Sequence, residues 1–183
     1  MTEKDIVELI GEDLWMMQVL LYAETLGLQN WMISAGFVRN KVWDKLSGRK
    51  VGHSTDIDFI YFDLEGNNEK EDEALTKRLQ GETGWRWEVI NQVYTHDWNA
   101  EAPYKSAEDA LAHFPETATA IAVTLKIRTL TLVAPFGVRD LVNIVVRPTD
   151  AFMISEAKKN RVRERMVEKK WLEKWPLLTQ APF

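Results

Sequence analysis

The sequence predicts an α+β fold, because segments with apolar residues at helical intervals alternate with short runs rich in aromatic and β-branched residues. The 183 residues, 45% of them hydrophobic and 28% charged, are typical of a globular protein and suffice for a sizeable core. We therefore expect a single domain over residues 1–183, with a core at about 12–100 and a C-terminal extension at about 101–183.

The first predicted elements surround a glycine. Residues 12–26 have the apolar spacing of an amphipathic helix, which Gly27 can end in the left-handed conformation. A short buried strand is expected at 31–33, followed by Gly36 and a helical pattern over 37–43. The local order is strand, glycine turn, helix.

Strands and helices continue to alternate through the rest of the chain. Ser106, with an acid three residues later, is typical of a helix start. We expect helices over 69–80, 106–113 and from about 155 to 175, and strands over 56–62, 85–93 and, as one or two strands, 120–133.

Composition excludes several classes of protein. Without cysteine there is no disulfide, thiolate nucleophile or Cys-based zinc site. No apolar run is long enough for a membrane span, and the N-terminus lacks a secretory signal, so we expect a cytoplasmic protein without membrane contact. No Walker-type or dinucleotide-binding glycine motif and no serine-nucleophile elbow occurs.

Charge is unevenly distributed. Residues 1–149 hold 15 Lys and Arg against 23 Asp and Glu, whereas residues 150–183 hold 8 against 5. A basic stripe in this tail either is a solvated helix face, the commoner role of charge runs, or contacts nucleic acid or nucleotide phosphates. Its members are Lys158, Lys159, Arg161, Arg163 and Arg165.

Two aspartates open the predicted strand at 56–62. Side chains two apart on a strand share a face, so Asp56 and Asp58 project together with Cα atoms about 6–7 Å apart. Their repulsion is about 2.4 kcal/mol at an effective dielectric near 20, and a bound Mg²⁺ would remove it. The alternative is a pair that caps a turn or faces water. His53 either touches substrate or is an exposed loop residue.

Glu88 lies inside the strand-like run at 85–93, where an acid normally needs a partner or a function. It is either the third carboxylate of a metal site or a member of an ordinary ion pair, for instance with an arginine. Both interpretations stay open at this point.

Three motifs carry a family resemblance: SAGFVRN at 34–40, TDIDF at 55–59 and VINQ at 89–92. In order and spacing they resemble bacterial nucleotidyltransferase-like proteins of the DNA polymerase beta superfamily. Later segments agree, so the resemblance spans nearly the whole chain: residues 104–106, 114–123, 134–141 and 170–176.

The resemblance implies a minimal nucleotidyltransferase fold, a mixed sheet flanked by helices, in which Asp56, Asp58 and Glu88 hold Mg²⁺ or Mn²⁺. In the superfamily such metals activate an acceptor hydroxyl and steady the pyrophosphate that leaves a nucleoside triphosphate, such as ATP. Gly36 and Ser34 would shape the phosphate-binding turn. Arg39 and Asn40, further along the same helix, either face the cleft or lie on the helix surface.

One residue departs from the superfamily pattern. Phe37 follows Gly36 where a hydroxyl donor is usual, which leaves open a nucleotide-binding or sensor module without turnover. A glycosyltransferase that binds a nucleotide sugar through its Asp-x-Asp pair is a further alternative, disfavoured by the preceding strand, glycine and helix. The acceptor, whether small molecule, protein or RNA, stays undetermined, and nucleic acid has only the basic tail in its favour.

Overall fold

The structure is a computed structural model that describes residues 1–50, 52, 55–66 and 68–183. His53 lies outside the described residues. In chain order the elements are α1 (Glu3–Gly11), α2 (Leu14–Glu24), β1 (Met32–Ser34), α3 (Gly36–Leu46), β2 (Ile57–Tyr61), α4 (Glu69–Thr83), β3 (Trp87–Asn91), a 3₁₀ turn (Thr95–Asn99), α5 (Ala107–Ala112), β4 (Ala122–Lys126), β5 (Thr129–Val133), α6 (Arg139–Val142), β6 (Val145–Val146), α7 (Asp150–Met153), α8 (Glu156–Glu168), α9 (Trp171–Lys174) and β7 (Thr179–Gln180).

The α+β prediction is confirmed, although several elements differ from the expected ones. The sequence analysis did not predict α1, although a capping box starts it: the Thr2 hydroxyl accepts from the Asp5 N–H, and the Asp5 carboxylate accepts from the Thr2 N–H. The single helix expected from about 155 to 175 is wrong. The chain breaks between α8 and α9, where Lys170 has φ 54° in the left-handed region.

The main sheet is mixed, as the family resemblance implies. Among the described residues it has five strands in the order β3-β2-β1-β4-β5, with β2 and β3 parallel and the other pairs antiparallel. Short β6 and β7 pair in parallel elsewhere. In the central register, Ser34 of β1 lies opposite Asp58 of β2, and Asp58 lies opposite Glu88 of β3.

The two faces of β2 have different surroundings. Ile57, Phe59 and Tyr61 point into the main core, where the Trp31 ring stacks on Phe59 with centroids 5.5 Å apart. On the other face, Ile60 belongs to a small cluster with α5. Side chains alternate between faces, so Asp58 shares the face of Ile60 and is only half-buried. This face forms the floor of a cleft.

Within the described ranges, no helix has the length and apolar character needed to cross a membrane.

Candidate functional site

The acids singled out from the sequence lie near the start of β2 and β3. Asp56 immediately precedes β2, and Asp58 and Glu88 are direct neighbours in the parallel register. Paired residues on adjacent strands point to the same side, at a strand spacing of about 4.8 Å. The sheet therefore places Glu88 beside Asp58, as the resemblance implies for the third acid.

The environment of Asp58 disfavours its charged form. Burial raises the pKa of the carboxyl from 3.8 to about 7, and the charges of Glu88 and Asp56 add to the rise, against Arg39 and Lys169. Acids that repel one another in a half-buried site are stabilised by a cation. A divalent metal ion would provide this stabilising positive charge.

Arg86 supplies one such cation. Its guanidinium lies 2.6 Å from a carboxylate oxygen of Asp56, and it lines a shallow cavity together with Asp56 and Glu88. In the part of the chain that is described, no three acids or histidines are grouped closely enough to hold a metal. Asp56 and Asp58 still suit Mg²⁺, which takes one or two carboxylates and completes its shell with water and substrate phosphates.

The turn before α3 approaches the polar groups of the site closely. A Cβ at Gly36 would lie 3.1 Å from the Thr55 hydroxyl and 3.3 Å from the Asn40 amide nitrogen, so a side chain here would crowd both. The backbone that favours glycine falls one residue earlier, because Ala35 has φ 54° and ψ −119°. Such strain costs on the order of 1–3 kcal/mol and is common at functional sites.

Ser34 and Phe37, on either side of this turn, point away from the cleft. Ser34 is fully buried, and its hydroxyl donates to the backbone carbonyl of Asp58 at 3.2 Å. Its placement supports a role in positioning Asp58. Phe37, which stands where a hydroxyl donor is usual in the superfamily, is 1% exposed and packs in the core, with its ring centroid 5.6 Å from that of Trp15.

Arg39 and Asn40 both line the cleft, and Arg39 is buried. The helix-surface alternative is therefore wrong for this pair. Arg39 donates to the Thr119 hydroxyl at 2.7 Å and to the Asn40 side-chain oxygen at 3.0 Å, and its guanidinium lies 4.5 Å above the Trp171 ring. Burial lowers the pKa of Arg39 to about 10, against the favourable charge of Glu116. Asn40 donates to the Thr55 hydroxyl at 3.1 Å.

The cleft itself has a volume of about 460 Å³ and is strongly basic. This contrasts with the acidic chain, whose net charge is −5. Such a concentration of cations beside a helix N-terminus suits a polyanion. Among its described lining residues, seven are cationic and four are acidic: Arg39, Arg49, Lys50, Arg86, Arg165, Lys169 and Lys174 against Asp44, Asp56, Asp58 and Glu168.

The basic stripe of the tail divides between the two interpretations given for it. Arg165 lines the cleft, held by Glu116, which is fully buried and accepts from Arg165 Nε at 2.7 Å. The other four residues pair with acids away from this contact: Lys158 with Glu101, Lys159 with Glu156, Arg161 with Glu168 and Arg163 with Glu156. The stripe therefore supports phosphate contact at Arg165 and lends little support to a nucleic-acid surface.

A model of the nucleotidyltransferase family matches residues 22–180. The chain belongs to this nucleotidyltransferase family. The sequence context had already disfavoured a glycosyltransferase, and family membership agrees. A comparison with functionally curated proteins gives no match.

Solved structures agree with the family. A protein whose NMR structure reveals a CCA-adding enzyme head domain is 35% identical, with a TM-score of 0.89 over 98% of this chain and 96% of its own. A CCA-adding enzyme in complex with ATP is 19% identical, with a TM-score of 0.50, and shows similarity of fold alone. The match covers 91% of this chain but only 46% of that enzyme.

Sequence reasoning missed several residues of the basic cleft. Thr119, Lys169 and Trp171 reach it from segments far from the aspartate pair. The positive charge of residues 150–183 was a signal for Lys169, and Thr119 and Trp171 lie in segments that agree with the family resemblance, 114–123 and 170–176. The sequence analysis considered an ion pair between Glu88 and an unspecified arginine. In the structure Arg86 pairs with Asp56 instead.

Proposed function

We propose that this nucleotidyltransferase transfers a nucleoside monophosphate from a nucleoside triphosphate to an acceptor hydroxyl, with Mg²⁺ or Mn²⁺. The observation that carries the proposal is the position of Asp56 and Asp58 at the edge of the basic cleft, facing the turn at Gly36. Acids alone would repel a triphosphate, and basic residues alone would not hold a metal. Their combination fits a triphosphate bound as its metal complex.

In this proposal, Asp56 and Asp58 hold the metal, and Glu88 joins them as the third carboxylate. Bound Mg²⁺ would neutralise phosphate charge and favour deprotonation of the acceptor hydroxyl. The pair between Arg86 and Asp56 must open for this, since it occupies one carboxylate oxygen. Glu88 is exposed and adjacent to Asp58, so its side chain can turn towards the same ion.

The triphosphate would lie between the N-terminus of α3 and the cations of α8 and the segment after it. Free N–H groups at Gly36 and beyond offer hydrogen bonds to phosphate oxygens, and the helix dipole adds favourable charge. Arg39 is fixed by two hydrogen bonds and the Trp171 ring, and Arg165 by buried Glu116. Side chains held in this way lose little conformational entropy when they bind phosphate.

The test is calorimetric titration of each nucleoside triphosphate with Mg²⁺ into the native protein and into the double variant Asp56→Asn, Asp58→Asn. We expect metal-dependent binding by the native protein and its loss in the variant. A matched control replaces two exposed acids outside the cleft, Glu73→Gln with Glu164→Gln, and should bind like the native protein. Absence of binding by the native protein would refute the proposal.

A second candidate is a nucleotide-binding module that does not turn over. The ion pair of Asp56 with Arg86, and the absence of a preformed three-ligand group among the described residues, favour it. Pyrophosphate release separates the two candidates. Binding without release, across a broad set of acceptor hydroxyls, would support the module and exclude the enzyme.

A further inference from the structure

A second cavity, of about 330 Å³, opens beside the basic cleft. We call it the aromatic pocket. Its volume is within the range of small-molecule sites. Five residues line both cavities: Ala35, Asp58, Thr119, Arg165 and Lys169. Asp58 therefore belongs to the walls of both.

The lining of the aromatic pocket differs in chemistry from that of the basic cleft. Asp58 is its one acid among the described residues, so a polycationic ligand would find few partners. Flat rings and amides instead suit an uncharged planar heterocycle, which stacks on aromatic faces and forms hydrogen bonds at its edge. The residues of this kind are Gln92, Trp98, Asn99, Tyr104, His113, Phe114 and Phe152.

Hydrogen bonds hold the walls of the aromatic pocket in place. The Tyr104 hydroxyl donates to Glu101 at 2.7 Å, and Lys158 donates to the same carboxylate. His113 Nδ1 donates to the Asp109 carbonyl at 2.8 Å, so in the neutral ring Nε2 is an acceptor. Trp98 is 58% exposed, with its ring 5.9 Å from that of Tyr94. The pocket is thus preformed and has an accessible ring at its side.

The geometry of phosphoryl transfer assigns a role to this position. In the proposed function, on which this inference rests, the leaving pyrophosphate lies in the basic cleft and the α-phosphorus lies near Asp58. Attacking and leaving oxygens are roughly in line across the phosphorus. The attacking hydroxyl must therefore approach from outside the space that the pyrophosphate occupies. The aromatic pocket is a separate cavity that adjoins the basic cleft at Asp58, so it can supply that approach.

We propose that the aromatic pocket is the acceptor subsite, and that it takes an uncharged planar heterocycle bearing a hydroxyl, as in a nucleoside. The hydroxyl oxygen forms a bond to the α-phosphorus, and the bond from that phosphorus to the pyrophosphate oxygen breaks. Pyrophosphate leaves with the electron pair, and the hydroxyl proton is released to solvent. Free nucleosides and the terminal nucleoside of an oligonucleotide share this chemistry.

The test uses Trp98→Ala and its conservative counterpart Trp98→Phe in the full chain. With Mg²⁺ and a non-hydrolysable triphosphate present, binding of adenosine, cytidine, guanosine and uridine is measured by calorimetry. Loss of one stacking partner should weaken nucleoside binding about tenfold in Trp98→Ala, and Trp98→Phe should restore it. Binding of the triphosphate itself should be the same in both variants and the native protein.

Transfer of a labelled nucleoside monophosphate then distinguishes the two sources. Product on a free nucleoside, or on a short oligonucleotide, supports the subsite and identifies the source. A polycationic amino sugar serves as the contrasting acceptor, and preferential transfer to it would overturn the assignment.

Two further outcomes separate this inference from the proposed function. If the triphosphate binds but Trp98→Ala weakens that binding as well, the aromatic pocket holds the base of the triphosphate and the acceptor assignment is wrong. The assignment also fails if the triphosphate binds normally and no nucleoside binds. If the native protein binds no triphosphate, the proposed function itself has failed.

Discussion

Two acids of this protein, buried Asp72 on α4 and half-buried Asp58 on β2, have contrasting surroundings. Asp72 is 2% exposed, and its carboxylate accepts from the Tyr61 hydroxyl at 2.7 Å, the Tyr94 hydroxyl at 2.6 Å and the Asn91 N–H at 2.6 Å. Asp58 receives no hydrogen bond on its carboxylate from the described residues.

This difference shows how structural and functional acids can be told apart. The donors around Asp72 compensate for its burial, and burial together with this acceptor raises the pKa of the Tyr61 and Tyr94 hydroxyls. Asp58 has acids beside it instead, and burial raises its pKa to about 7. The charged form of such an acid lacks compensating hydrogen bonds, so a bound cation can stabilise it.

The largest expected effect is on turnover, through Asp58→Asn. If the carboxylate holds the metal, pyrophosphate release should fall by about a thousandfold, because the variant loses several kcal/mol of charge stabilisation in the transition state. The measurement is a coupled pyrophosphate assay with saturating triphosphate. Glu73→Gln, an exposed acid on α4, is the control and should retain native turnover. Native turnover in Asp58→Asn would show that Asp58 has no role in catalysis.

The next effect is on stability, through Asp72→Ala. Three donors lose their acceptor, and two of them, Tyr61 and Asn91, are buried, so the free energy of unfolding should fall by about 3–4 kcal/mol. Urea denaturation followed by tryptophan fluorescence measures it. Tyr94→Phe removes one of the three donors and should cost only about 1 kcal/mol. If the free energy of unfolding falls no further in Asp72→Ala than in Tyr94→Phe, the three hydrogen bonds to Asp72 do not stabilise the fold as expected.

The pH dependence of stability should carry the signature of Asp58. Its pKa is higher in the folded protein, about 7, than the ordinary 3.8, so the unfolded chain releases this proton first as the pH rises. Stability of the metal-free protein should therefore contain a component that falls between about pH 4 and pH 7. The Tm of Asp58→Asn should exceed that of the native protein by an amount that grows across this range and reaches roughly 5 °C at pH 8.

Scanning calorimetry in chelator at several pH values tests this prediction. Mg²⁺ supplies a partner for the charged form, so its addition at pH 8 should narrow the gap between native and Asp58→Asn. A Tm difference that does not change with pH would show that Asp58 is not the titrating group.

The smallest effect concerns Arg86→Gln. This change removes the cation paired with Asp56, so Mg²⁺ should bind a few times more tightly in the absence of nucleotide, as expected for an exposed ion pair of modest strength. Calorimetric Mg²⁺ titration measures the change. Arg78→Gln, which breaks a similarly exposed pair with Glu82, is the matched control. Weaker Mg²⁺ binding in Arg86→Gln would indicate that Arg86 supports the metal site.

Much of this arrangement could be predicted from the sequence. Most strands and helices were expected within a few residues, and the glycine turn before α3 was located. The metal-binding role of Asp56, Asp58 and Glu88 stays a prediction. The orientation of Phe37 could not be predicted, because the residue after Gly36 can face the cleft or the core depending on how α3 packs. In the structure Phe37 is in the core, with its ring beside that of Trp15 from α2.

The sequence by itself determined that Asp56 and Asp58 stand two residues apart at the start of a strand and so project together, since alternation along an extended backbone is a local property. Only the tertiary structure decided which groups surround that face. Register placed Glu88 beside Asp58, and packing of α8 brought Arg165 and its buried partner Glu116 to the cleft. These contacts join segments distant in sequence. They depend on which combination of surfaces buries the apolar residues while pairing the polar ones, and that is a property of the whole chain.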